Sequence, residues 1–426
     1  MSIHQTMRLI FLLLIIGSIQ NTIAQSRLDR AIGFYNEAKQ AYDRDDYPQY
    51  LQMMIAADSL LPHSRFVKYN LAAANWLESH PDKSFEMIAE LIQIDTQIAF
   101  DADSVFEDIR SNEKYIEHLK MKDELNKPVV NSEIAFELEE TDLHPESIAY
   151  SAEGGVFYIS SLRKRKIVIY NPRKLTTEDW LTTKEISELY GVMGIKTSED
   201  GDFIWLCSSP LPEMEGYEEG RFYKPSVFKV NLKDKLDITR FELPEGSVPG
   251  DLVLGPKGEC YVSDSASPRI FRIVKNKVEV FFSGEEHLVN LQGLTIHDGH
   301  LFIADYLTGI HRLSLKKKKL TPVSIDSPFN IAGVDGMYFY DNSLITIQNG
   351  VYPFRIGRFY LEENYLVTNF EYFDKAADFL DEPTLGVIVN NDFYFVANSP
   401  WSYYENGVLQ VEFINKPQIR KVQLNR

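Results

Sequence analysis

Six times after residue 133 the sequence repeats one short programme: an apolar strand, a polar turn, and a second apolar strand that closes on small or polar residues. The copies read ESIAYSAEGGVFYISS, MGIKTSEDGDFIWLCSS, GDLVLGPKGECYVSDS, QGLTIHDGHLFIADY, DGMYFYDNSLITIQNG and TLGVIVNNDFYFVANS. Their second positions or glycines fall at Ser147, Gly194, Asp251, Gly293, Gly336 and Gly386, in steps of 47, 57, 42, 43 and 50 residues. Side chains alternate with period two, and no helical stretch intervenes. Four-stranded units at this spacing specify a β-propeller. The chain is therefore read as mainly β, a six-bladed β-propeller over residues 133–426. Residues 133–140, EIAFELEE, precede the first copy and are expected to supply the outer strand of the last blade, which closes the ring and removes an open edge.

Before the repeats the period changes to that of a helix. Two segments, YNEAKQAYDRDDYPQYLQMMIAADSLLP and YNLAAANWLESHPDKSFEMIAELIQID, superpose at a shift of 34 residues, which carries Ala38 onto Ala72, Tyr42 onto Trp76 and Leu51 onto Phe85. That period resembles the tetratricopeptide repeat, in which small alanines let paired helices approach and aromatics fill the gap between them. Residues 26–121 are expected to form about two such repeats or a plain helical hairpin cap. Two repeats are fewer than a free-standing array needs, so the unit should pack on its neighbour. The polar, proline-containing segment 122–132 reads as a linker.

At the N-terminus, Arg8 precedes the apolar run LIFLLLIIGSI and the small residues of NTIAQ. This pattern is a secretory signal peptide over residues 1–24, cut near Ala24. The run falls short of the roughly 20 residues that span a bilayer, and no cysteine follows it to carry a lipid. The mature protein is expected to be exported, periplasmic or secreted, with no membrane span. Its 44 basic and 62 acidic side chains leave a formal charge of -18, which excludes nucleic acid as a natural partner. The basic run Lys316 to Lys319 reads as a solvated hairpin turn. Cys207 and Cys260 lie in apolar strands on opposite faces and are read as buried thiols.

In a propeller the first strand of every blade lines the central channel, so its leading residue is delivered to one mouth of that channel. Those residues are Glu146, Met193, Gly250 followed by Asp251, Gln292, Asp335 and Thr384. Carboxylates gathered without a cation destabilise one another. A hard divalent ion such as calcium, with oxygen ligands from Glu146, Asp251, Gln292 and Asp335, would relieve that cost.

The segments HPESIAY, LQGLTI and VDGMYF resemble the blade-leading motifs of the senescence marker protein and gluconolactonase family, close to the NHL-repeat propellers, over roughly 290 residues from Glu133. The resemblance implies a divalent ion, calcium or a relative, at the channel mouth and hydrolysis of sugar lactones or similar esters. Glu146 matches the family's first glutamate ligand, and Asp335 its aspartate, both ligand and candidate base. Where the family places two asparagines, this chain has Gly250 and Gln292. Those departures keep a second reading open: a non-catalytic scaffold that binds a ligand or a protein through the propeller and the helical repeats, with Trp401, tyrosines and asparagines available to a sugar or peptide.

Asp264 and Asp305 end their strands in SDS and ADY and are assigned to turn and blade packing. Asn349 and Asn398 hold equivalent strand ends in the last two copies, where they either brace loop backbone or line the pocket, as Met193 and Thr384 would. His144, His287, His297, His300 and His311 share no spacing, and no G-x-S-x-G elbow or phosphate-cradling glycine loop is present.

Overall fold

The computed structural model describes residues 26–326 and 329–425, so the expected signal peptide lies outside the described residues. Six antiparallel sheets follow one another in sequence as blades. Their first strands are Pro145–Ser151, Gly191–Thr197, Pro249–Leu254, Leu291–His297, Val334–Tyr340 and Gly386–Val389. Each first strand touches those of both neighbouring blades, and the sixth touches the first, so the ring is closed.

Alternation accounts for the packing. The two faces of every blade are apolar, and a separate core fills each of the six gaps between blades. Phe228 and Leu206 pack towards blade 1, for example, while Cys207 and Val227 of the same blade pack towards Cys260 and Phe271 of blade 3. The two cysteines are free and fully buried, and burial pushes both thiols up. The outer strand of blade 6 is Glu133–Glu137, paired with Gln418–Gln423. The N-terminal strand thus closes the ring, ending at Glu137 rather than running on to residue 140.

Near the axis, two glycines let the first strands approach. A Cβ on Gly293 would lie 2.2 Å from the Asp335 carbonyl oxygen, and one on Gly194 would lie 2.8 Å from Asp251 Cα. Neither position tolerates a side chain without moving a backbone.

The helical region comprises α1 (Arg27–Tyr42), α2 (Tyr47–Leu60), α3 (Arg65–Leu77), α4 (Pro81–Ile94) and α5 (Glu113–Leu125). Ser26 and Asp29 form a capping box at α1, while Asp46 and Ser64 cap α2 and α3. The 34-residue correspondence is real in the core, because Ala38 and Ala72 are both fully buried. It loosens at the aromatics: Trp76 packs on Phe85 and Phe106, whereas Tyr42 is 40% exposed. The segment read as a linker is structured. Helix α5 runs on to Leu125, and Val129–Val130 pair with Lys375 and Asp374 as a fifth strand on blade 5.

These helices dock on blades 4 and 5. Val289 and Leu307 join the core of α1–α3, the His63 amide donates to the Leu307 carbonyl, and Thr96 and Tyr352 exchange contacts with the end of α4. The fully buried Arg355 reaches the Gln93 carbonyl, and Lys375 reaches that of Glu124. Leu307 and Tyr352 lie in loops that follow second strands, at the same end as the starts of the first strands. The helical unit therefore sits on the face that carries the channel mouth. Among the described residues no helix is long and apolar enough to cross a membrane.

Candidate functional site at the channel mouth

Five first strands carry a register shift at the same step: between Pro145 and Ile148, Val192 and Ile195, Pro249 and Leu252, Leu291 and Leu294, and Val334 and Met337. A β-bulge places two residues against one and re-aims a side chain, which is why such features gather at rims and sites. The leading residue of each bulge is Glu146, Met193, Gly250, Gln292 or Asp335. The second is Ser147, Gly194, Asp251, Gly293 or Gly336. These two positions have different tasks.

The second position ties blade to blade. Ser147 Oγ accepts from the Ile195 amide of blade 2 at 3.2 Å, and Asp251 Oδ2 accepts from the equivalent Leu294 amide of blade 4 at 3.1 Å. Asp251 also faces Lys196 Nζ at 3.7 Å. That lysine comes from blade 2, and its ammonium lies 4.9 Å from the ring of Tyr338 on blade 5, across the ring. Asp251 is thus a lateral clamp with a buried lysine beside it.

The leading position faces the mouth. Glu146 is 4% exposed. Its Oε1 accepts from the Trp401 indole N–H and from Ser399 Oγ at 3.3 Å, and His144 Nε2 lies 3.3 Å away. The other ring nitrogen, Nδ1, is 2.7 Å from the Tyr404 hydroxyl. If Tyr404 donates there, the imidazole carries its proton on Nε2, which lies beside Oε1 without making a hydrogen bond to it. Oε2 accepts nothing from any described residue. Burial pushes the Glu146 carboxyl up to about 8 against the pull of its Trp401 and Ser399 bonds, and burial draws His144 down to about 3. The imidazole is therefore neutral, and Glu146 titrates close to neutrality.

Asp335 is partly buried, and its Oδ2 accepts from Asn349 Nδ2 at 2.8 Å; Asn349 also bonds the Pro383 carbonyl and receives the Tyr306 hydroxyl. Burial, followed by the charges of Glu146 and Asp251, raises the Asp335 carboxyl well above the usual range. Glu382 joins the same field: burial and then Asp381 push it up to about 8, with Glu146 and Asp335 adding to the effect.

Of the residues singled out from the sequence, Asp335 and Asn349 are hydrogen-bonded to each other, and Glu146 and Asp251 act on Asp335 through their charges. Gln292 instead bonds Asn290 Oδ1 at 2.7 Å. Met193 packs beside Tyr190, Leu211 and Trp401, and Thr384 is buried with its hydroxyl unpartnered. Asn398 pins the two feet of its own loop through the Lys416 carbonyl and the Gln418 amide. Asp264 and Asp305 brace loop amides, Asp305 receiving four of them.

In the expected calcium set each side chain bonds a different protein partner through one polar atom, Glu146 to Trp401, Asp251 to Leu294, Gln292 to Asn290 and Asp335 to Asn349, and Asp251 lies one bulge position from the leading residues. Among the described residues no group of three His, Cys, Asp or Glu side chains converges to hold a metal ion.

Sequence reading missed His144, which shared no spacing with other histidines yet is fully buried beside Glu146. It also missed Glu382, although DEPTL sets an acid against a proline much as HPES does. Tyr404 and Ser399 lie in an aromatic-rich insertion, NSPWSYYENG, whose length was the available signal.

No protein-family profile matches this sequence, and no curated protein matches it. Solved structures do. The Malassezia sympodialis allergen Mala s 1 aligns with a TM-score of 0.52 at 16% identity, over 67% of this chain and 95% of that one. The comparison shows the fold. A candidate gluconolactonase aligns at 0.47 and 11%, over 69% of this chain and 92% of that one, and virginiamycin B lyase from Staphylococcus aureus at 0.45 and 16%, over 68% and 98%.

Proposed function

We propose that this chain is an exported propeller hydrolase that opens lactones or related esters at the channel mouth, with Glu146 as general base and Asp335 as acid. The observation that carries this reading is the pair itself: two carboxyls from blades 1 and 5 share one field, and their surroundings differ. Two titratable groups held apart in this way are the usual arrangement for acid–base work.

Glu146 presents Oε2 while its Oε1 is held by donors, so the carboxylate is oriented to take a proton from water. That water would attack the ester carbonyl carbon. Asp335, protonated, would hydrogen-bond to the carbonyl oxygen as charge develops there and then give its one proton to the departing alkoxide as the C–O bond breaks, leaving a hydroxy acid and regaining a proton from solvent. The proton taken by Glu146 returns to solvent. Asn349, held by Tyr306 and Pro383, keeps Asp335 facing the mouth. The assignment reverses the roles expected from the sequence, where Asp335 was the base and Glu146 a ligand.

Turnover of a panel of sugar and aliphatic lactones, measured against pH in the presence of a chelator, tests the reading. The rate should rise with a midpoint near 8, and Glu146→Gln and Asp335→Asn should each lose about a hundredfold or more. Absence of turnover at every pH would leave the propeller as a binding scaffold.

A further inference from the structure

The second-to-third-strand loops of the six blades are unequal. In blades 1, 3 and 4 they are residues 162–165, 265–268 and 306–308, whereas blades 2 and 6 insert residues 210–225 and 397–417. The two long loops meet over blade 1. Trp401 packs against Leu211, Met214 and Tyr223 of the blade 2 loop, and a Cβ on Gly407 would lie 3.7 Å from the Pro212 carbonyl oxygen. The helical unit covers blades 4 and 5 on the same face, so the blade 6 loop lies over the opposite side of the mouth.

This loop does more than cover. Both hydrogen-bond donors to Glu146 Oε1, Ser399 and Trp401, belong to it, and it also supplies the Tyr404 hydroxyl that holds His144. Its outer side is lightly held: Val408, Val411 and Phe413 are 62%, 49% and 66% exposed, and its tip turns through Asn406 and Gly407, both at positive φ. Asn398 fastens the two feet together, and beyond that pin the loop is tied down by Ser399 to the Pro145 and Asp381 carbonyls and by the Tyr403 hydroxyl to Asp381, bonds that opening would break.

We propose that residues 399–416 form a lid that completes the site by closing, with Ser399 and Trp401 positioning Glu146 directly and Tyr404 holding the His144 ring against Trp401. The proposal rests on the reading of Glu146 as the functional carboxyl. With the loop raised, Glu146 loses both donors, His144 loses the partner that fixes its tautomer, and the carboxyl opens to solvent. A substrate that holds the loop down therefore assembles the base that acts on it, which is induced fit in its specific sense.

The test needs no substrate. Carboxyl groups of the full chain are labelled with a water-soluble carbodiimide and an amine, and each site is followed by mass spectrometry. In the wild type Glu146 should label at least about tenfold more slowly than the exposed Asp341, because only the open state reacts. Trp401→Ala combined with Tyr404→Phe should bring Glu146 close to the Asp341 rate, with the thermal midpoint as the check on folding. Trp401→Phe, which keeps most of the packing but removes the N–H, should give an intermediate rate. Equal labelling of Glu146 and Asp341 in the wild type, or an unchanged Glu146 rate in folded variants, would overturn the lid. Slow labelling released by the variants, alongside no lactone turnover, would keep the lid and remove only the hydrolase.

Discussion

Blades 1 and 3 open on the same bulge, and each contributes one acid to it, yet the two acids have opposite fates. In blade 1 the acid is the leading residue, Glu146, and faces the mouth; in blade 3 it is the second, Asp251, and turns sideways to bond the next blade. Successive residues of a strand point to opposite sides, so one step along the chain exchanges a site for a clamp. Gly250 holds the position that in blade 1 carries Glu146. A charged residue in a repeat is therefore interpreted by its place in the bulge, not by its chemistry.

The largest way to break this comparison is Asp251→Ala. It removes the acceptor of the buried Leu294 amide and the carboxylate 3.7 Å from the partly buried Lys196, a loss of about 1–3 kcal/mol for the unsatisfied amide, read by urea unfolding. Asp251→Ser, which copies the hydroxyl that Ser147 supplies in blade 1, should recover about 1 kcal/mol of that through the lateral bond. A neutral effect of Asp251→Ala would show that the acid belongs to the mouth after all.

Next in size is the dependence on pH. Glu146 is raised in the folded state from 4.5 to about 8, so the stability its protonated form contributes is complete below pH 4.5 and is lost as pH rises through 8. The slope approaches about 1.4 kcal/mol per pH unit within that window. His144, lowered from 6.5 to about 3, acts in the other direction: its contribution is present above pH 6.5 and is lost as pH falls towards 3. Glu382, also pushed up to about 8, contributes to the same limb, so thermal midpoints across pH should show Glu146→Gln making the alkaline limb shallower while leaving the acid limb in place. An alkaline limb of unchanged slope in Glu146→Gln would mean that Glu146 does not contribute to it.

The smallest expected effect is that of calcium. Because each of the four side chains already bonds a protein partner, a millimolar excess should move the thermal midpoint by less than about 1 °C, since only a ligand bound preferentially to the folded state stabilises it. A clear rise that Glu146→Gln with Asp335→Asn abolishes would restore the metal centre.

The ring itself was legible because its physics is local and repeated. Six alternating strand pairs each have to bury an apolar face, and the only partners at that spacing are each other. The closing strand was legible for the same reason, as an unpaired alternating segment placed before the first copy. Glu146 and Asp335 could be named because the repeat aligns them with the mouth. Their partners could not: Trp401, Tyr404 and Ser399 come from an irregular insertion that lies outside the repeated sequence, and His144 has no repeat-related histidine. The docking of helices on blades 4 and 5 was likewise hidden, since a tetratricopeptide-like pattern specifies how helices pair but not which loop receives them.

By itself the sequence determined the blade number, the closure, the helical pairing around Ala38 and Ala72, and the ring of leading residues, all of which follow from periodicity. Tertiary structure alone decided which acids see one another, which oxygen of Glu146 is left open, and that Asp251 clamps the Leu294 amide of the next blade. Those outcomes depend on a one-residue bulge and on contacts between residues as distant as Glu146 and Trp401. Burial then sets the proton affinities, because the cost of charging a carboxyl is fixed by everything packed around it in space, and not by its neighbours along the chain.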